Sequence, residues 1–409
     1  AFRIPNVIFE LLVMGALTAA FIPVYTKYLS ENREHDAERL ATVLINLSVM
    51  ILAIVSIPLF ILAPWISRLL APGFNELQIV EMSTYTRFIL LFQVAPLLVG
   101  NVLTGILQSH SLFLIPAAAP VLYNIGIIIG TVALSSVWGL WGPVVGVGIG
   151  AVLFVAIQIP LILRLGYRHT LEINPTLPGV REVGRLMGPR TLGLAIAQID
   201  ITVDLILASL LGSRMVTIFN FAQHLQQLPV GLFGTTIAQA ALPSLSQFSA
   251  KDKTEEFIAT IHMAIHQILF WVLPASVLFM VLRIPIVRLV FGASRFDWAA
   301  TVDTGMTLSA FSISLFAQAL IHILARGFYA LYDSKTPVAV GIVTVLINSV
   351  LSTLFILVFH MPVWSLGLST SVASIINAFA LLYLLDRKMR GIISRSLLVP
   401  AVKMGVAAL

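Results

Sequence analysis

Apolar runs of about 20 residues recur along this chain, with short connectors between them. Each is long enough to cross a hydrocarbon core of about 30 Å. Inside hydrocarbon every backbone donor and acceptor must be satisfied within the protein, which leaves helices or closed barrels. Strand signals are absent from the sequence, so the chain reads as an all-α polytopic membrane protein. Composition supports the same class: 59% of the 409 residues are hydrophobic and 10% are charged, where soluble domains carry roughly 25% charged residues. The chain has no cysteine, which excludes disulfides, thiolate metal sites and iron–sulfur clusters. The net charge of +6 is small for this length. Its distribution among connectors is more telling than its size, and it gives no sign of a nucleic-acid partner.

Membrane helices are expected at about 2–28, 40–69, 80–108, 114–136, 141–163, 187–211, 215–243, 256–282, 302–330, 337–359 and 364–385, with a further one starting near 395. Alternate connectors differ in Lys and Arg. One set holds 16, from Lys27 to Arg395, and the other holds Arg68, Arg214, Arg283, Arg288 and Arg295. The basic set therefore faces the cytoplasm. The connector 164–186, with Pro175 and Pro178, reads as a cytoplasmic linker between two halves.

The halves resemble each other. Pro23 pairs with Pro243, Pro64 with Pro285, Gly105 with Gly327 and Pro116 with Pro337, all at an offset near 221. A unit of six helices returns the chain to the same side, so the repeats are parallel. The expected architecture is two six-helix lobes around a central cavity. Residues 1–163 form the first lobe, 187–386 the second, and 387–409 start an additional helix. The helix at 187–211 has no counterpart in the first lobe. The chain also opens inside an apolar stretch without an initiator Met, so it reads as a fragment. Such repeats suit a transporter rather than an enzyme, and no nucleotide-binding or catalytic signature stands out.

Polar residues in membrane helices cost about 2.5–3.5 kcal/mol when charged and face protein or water. Arg3, Asn6 and Glu10 share one helix face at i, i+3, i+7. They read as a cavity wall, with Arg3 suited to a phosphate group through its bidentate fork, or else as a structural Arg–Glu pair. Asn220, Gln223 and Gln227 repeat that geometry with His224 beside them, and they line a cavity or bond between helices. Asp200 and Asp204 at i, i+4 point to a cation or proton site, or to one interfacial and one structural carboxylate. Gly142, Gly146 and Gly150 have the spacing of close helix packing.

The stretches "FRIPN", "GALTAAFIPVYTKYL", "LAPGF", "GILQSHSLFLIPAAAPVLYNI", "LPVGLFGTTIAQAALPSLS" and "ARGFYALYDSKTPV" resemble, in order, the MurJ/MviN family of lipid II flippases, within the multidrug/oligosaccharidyl-lipid/polysaccharide exporter superfamily. That resemblance implies fourteen helices, of which this chain lacks the first and ends within the thirteenth. It implies a multi-pass bacterial cytoplasmic-membrane protein of cell-wall (peptidoglycan) biosynthesis, acting as a monomer among membrane lipids. Its cargo would be lipid II or a similar polyprenyl-diphosphate glycan. The resemblance also implies Na⁺ as coupling ion, at positions matching Asp204, Asn348, Ser352 and Thr370, where Ser352 replaces a carboxylate. Phe9, Met14, Gln223, His224 and Gln227 stand where the family usually carries charges. Three alternatives remain open: a cation-coupled exporter of amphiphilic small molecules, a flippase for another lipid-linked glycan, and a membrane glycan polymerase.

Overall fold

Prolines, glycines and charged first turns set where the helices begin and end. The structure, a computed structural model, describes residues 1–11, 18–251, 253–292 and 296–408. Met14, Gly15 and Arg295 lie outside the described residues, as does most of the junction inside the expected helix 2–28. Contacts divide the chain into two compact units, Ala1–Gln198 and Ile199–Leu409.

The first unit contains α1 (Arg3–Phe9), α2 (Thr18–Ser30), α3 (Glu34–Ile61), α4 (Ala63–Leu70), α5 (Glu76–Phe92), α6 (Val94–Ser109), α7 (Leu114–Ile129), α8 (Ser135–Trp138), α9 (Trp141–Ala156), α10 (Ile159–Arg164) and most of α11 (Pro178–Leu210). Glu34 and Asp36 begin α3 earlier than the apolar run alone suggests. Carboxylates in a first turn are favoured by the helix dipole. Likewise α11 starts at Pro178, ahead of the expected 187, because proline is preorganised for a first helical position. The core packs Phe21 and Tyr25 of α2 against Leu40 and Leu44 of α3, Ile106 of α6 and Val183 of α11.

The second unit contains α12 (Ser213–Pro229), α13 (Thr236–Ala250), α14 (Thr254–Val281), α15 (Arg283–Phe291), α16 (Trp298–Ser312), α17 (Leu315–Ala330), α18 (Lys335–Thr353), α19 (Trp364–Met389) and α20 (Arg395–Ala408). Its core joins Phe257, Ile261 and Ile268 of α14 to Phe328 of α17 and Leu385 of α19. Among the described residues eight helices are long and apolar enough to span a membrane, or nine if the bent α16–α17 pair is one span.

The order of elements recurs along the chain. Helices α3 to α7 begin at Glu34, Ala63, Glu76, Val94 and Leu114; α14 to α18 begin at Thr254, Arg283, Trp298, Leu315 and Lys335. A π-helical turn follows α7 at Gly130–Leu134 and α18 at Leu354–Val358. Another occupies Val230–Thr235, and the backbone at Glu10 and Leu11 is π-helical too. Such turns are rare and concentrate at functional sites.

Helices α7 and α9 meet along glycines. A Cβ at Gly126 would overlap the backbone of Gly150, and one at Gly130 the backbone of Gly146. This is the close packing expected from Gly142, Gly146 and Gly150, with Gly126 and Gly130 as the partners across the seam.

Candidate functional site

The first polar cluster is built on α1. Ile4 and Ile8 bury one face of that helix against Leu52, Leu90, Val94 and Leu98. This fixes its rotation and leaves Arg3, Asn6 and Glu10 half-buried on another face. Arg3 donates to the main-chain carbonyl of Gln198 at 2.5 Å, and the Gln198 amide in turn donates to the Glu10 carboxylate. The guanidinium and carboxylate thus converge on one buried glutamine of α11 and lie within Coulombic reach of each other. Asn6 accepts at 3.5 Å from Gln93, which also donates to the Tyr123 hydroxyl at 3.0 Å. Gln93 sits at the break between α5 and α6, and its buried Oε1 has no hydrogen-bond partner among the described residues.

The corresponding stretch of the second unit is arranged differently. Asn220 turns its amide back onto the Val216 carbonyl of its own helix at 2.8 Å. Gln223 is half-buried, while His224 and Gln227 are exposed. Contact between helices falls instead to the buried Gln226, which accepts from Gln318 at 3.0 Å. Gln318 also donates to Ser314, at the bend between α16 and α17.

The second cluster lies within the second unit, among α11, α18 and α19. Asp204 is 3% exposed, Asn348 1%, and Ser352 and Ser369 are fully buried. The Asn348 amide donates to Asp200 at 2.8 Å and to Asp204 at 3.2 Å. Ser352 and Asp204 bond at 2.9 Å, and Ser352 and Ser369 at 2.6 Å. Thr370 donates to the Leu366 carbonyl at 2.9 Å, with its hydroxyl beside Asp204. The structure therefore brings together Asp204, Asn348, Ser352 and Thr370, and adds Asp200 and Ser369. The buried Oδ1 of Asn348 has no partner among the described residues. Two carboxylates, hydroxyls and an unused amide oxygen form an oxygen-only donor set, which fits a hard cation such as Na⁺.

Gln198, Gln93, Gln226 and Ser369 escaped the sequence reading. Gln198 carries a signal, an amide inside an apolar run six residues before Asp204. Ser369 was masked by the neighbouring Thr370.

An all-helical chain whose element order recurs and whose buried charges sit inside each unit is a polytopic transporter. An inward-facing multidrug resistance transporter of the MATE family, in the MOP superfamily, shares the fold at a TM-score of 0.82 and 14% identity, covering 96% of this chain and 89% of that one. A structure of lipid II flippase MurJ in an inward closed conformation matches at 0.84 and 23% identity, over 100% of this chain and 82% of that one. The family model for lipid II flippase MurJ matches residues 1–409, and the chain belongs to that family. The lipid II flippase MurJ of Burkholderia cenocepacia is 27% identical over 96% of this chain and 77% of its own length. A probable lipid II flippase MurJ of Vibrio cholerae is 28% identical over 93% and 74%.

Proposed function

We propose that this chain carries lipid II across the bacterial cytoplasmic membrane by alternating access, as a single copy. The family match along the whole chain carries the reading, and the mixed-charge cluster on α1 supports it. Arg3 binds the diphosphate through its two-pronged donor set. Gln198 and Glu10 hold the guanidinium in place, and Asn6 offers an amide to the glycan. In the second unit, Asn220, Gln223, His224 and Gln227 offer amide and imidazole hydrogen bonds to sugar hydroxyls or phosphate oxygens. Asn220 must release Val216 to do so.

Na⁺ is the proposed coupling ion. Asp200, Asp204, Asn348, Ser352, Ser369 and Thr370 would hold it. When bound it offsets the charge of the buried Asp204 carboxylate and its half-buried neighbour Asp200, a pair that is costly in a low dielectric. Asn348 bridges the two carboxylates, and Ser352 donates one hydrogen bond to Asp204. Replacement of a carboxylate by Ser352 lowers the negative charge of the site, so binding is weak.

The test is complementation of a strain depleted of its lipid II flippase. Rescue by wild type and failure by Arg3→Ala at equal protein level is the expected result. Rescue by both would remove Arg3 from the mechanism. Failure of wild type, with export of cationic amphiphiles instead, would place the chain with the multidrug exporters whose fold it shares.

A further inference from the structure

On the first unit, α3, α6, α10 and the segment after α10 enclose an apolar groove of about 620 Å³. Val49, Met50 and Ala53 line it from α3, Leu103 from α6, Leu163 from α10 and Leu171 from the segment. One wall is a connector, yet it is held firmly. Arg39, Thr42 and Asn46 lie at i, i+3, i+7 on α3 and grip it together. Arg39 donates to Glu172 through Nε at 2.9 Å and a terminal nitrogen at 2.5 Å. The Thr42 and Tyr167 hydroxyls are 3.1 Å apart. The Asn46 amide donates to the carbonyls of Thr170 and Glu172 at 2.8 and 2.9 Å.

This clamp holds the Leu171 side chain 93% exposed, with Ile173 exposed beside it. Fully exposing a leucine costs roughly 1.5–3 kcal/mol in water and nothing among acyl chains. The groove follows α3 from Ile45 to Ala53, about 12 Å of helix, so it occupies one leaflet. That leaflet is the one beside the basic connectors. Arg164 follows the lining residue Leu163, and Arg168 lies between the lining residues Tyr167 and His169. Both are exposed, and among the described residues neither has a carboxylate within ion-pair distance.

We propose that this groove binds an anionic glycerophospholipid of the cytoplasmic leaflet. One acyl chain lies along Val49, Ala53 and Leu163, and the phosphate is met by Arg164 and Arg168. Shape supplies the apolar half and charge the other. An apolar trough about 12 Å long is lined by residues adjacent in sequence to two exposed cations that make no ion pair among the described residues.

The experiment uses the protein in nanodiscs containing either a diazirine-tailed phosphatidylglycerol or a diazirine-tailed phosphatidylcholine, with labelled residues mapped by mass spectrometry. Phosphatidylglycerol is expected to label Val49, Met50 and Leu163 in preference to phosphatidylcholine. Each of Arg164→Gln and Arg168→Gln should weaken that preference about fivefold. Ala53→Trp should block labelling by both lipids with the thermal transition retained; if that variant fails to fold, Val49→Trp fills the groove from the same wall. Equal labelling by the two lipids, or labelling indifferent to the tryptophan, would overturn the proposal. So would displacement of phosphatidylglycerol by an equimolar polyprenyl phosphate, which would assign the groove to a polyprenyl tail.

Discussion

The two polar clusters solve the problem of charge in a membrane in different ways. The α1 cluster mixes signs, is half-open, and is held by hydrogen bonds that a ligand could replace: a guanidinium on a carbonyl, an amide on a carboxylate. The α11–α18–α19 cluster is acidic, nearly sealed, and saturated by short-range donors from Asn348 and Ser352. A half-open site of mixed sign suits a large anionic cargo whose atoms arrive with their own hydration. A sealed acidic site suits a small cation that enters stripped of most of its water. The same helix, α11, contributes Gln198 to one and Asp200 and Asp204 to the other.

The contrast breaks most readily at Arg3. Arg3→Ala should reduce flipping at least 100-fold at unchanged expression, because a bidentate charge-assisted contact has no substitute among the remaining side chains. Arg3→Lys should recover part of the loss. Full activity in Arg3→Ala would make the α1 cluster a structural pair. Next in size is Gln198→Leu, expected to lower flipping about tenfold through loss of the side-chain hydrogen bond to the Glu10 carboxylate, measured in reconstituted vesicles. If Gln198→Leu left flipping intact while Arg3→Ala abolished it, the glutamine would be packing rather than positioning.

Asp204→Asn sharpens the other side. Wild type should gain about 1.4 kcal/mol of thermal stability at Na⁺ tenfold above its dissociation constant, and the variant none. A Na⁺ effect surviving in Asp204→Asn would move the ion elsewhere. The smallest effect belongs to a control outside both clusters. Asp333, in the connector before α18, is pulled down to about 2 by its bond with Lys388, by the Thr336 backbone and by the Thr336 hydroxyl. Its folded value is depressed, so its stabilisation is present above the unfolded value of about 3.9 and is lost as pH falls through the folded value. The contribution is about 1 kcal/mol or less for a partly exposed pair, and Lys388→Met should flatten the acid limb of the melting curve between about pH 4 and 2. An unchanged limb would trace the acid sensitivity to other carboxylates.

Much of this was legible in the residues. The stripe Arg3, Asn6, Glu10 follows from helical spacing alone, and the glycine seam from small residues four apart. Asp204, Asn348, Ser352 and Thr370 came from family resemblance and do meet in the fold. What stayed hidden depends on helix rotation. Where a helix is apolar on nearly every side, periodicity does not say which polar residue turns inward. Gln223 and Gln227 share a plausible stripe with Asn220, yet it is Gln226, on another face, that reaches Gln318. Gln198 was hidden because its partners are almost 200 residues away in sequence. Helix starts at Glu34 and Pro178 were misplaced because hydropathy marks the hydrocarbon core, whereas helices extend past it into water.

The seam between α7 and α9 has a practical consequence. Backbones in contact through Gly126, Gly130, Gly146 and Gly150 leave no side-chain volume to yield. The pair should behave as one stiff strut during transport. Spin labels on outward-facing positions of these two helices, such as Val121 and Val152, would therefore keep a constant separation through the cycle. That pair offers an internal ruler against which the displacement of every other helix can be measured.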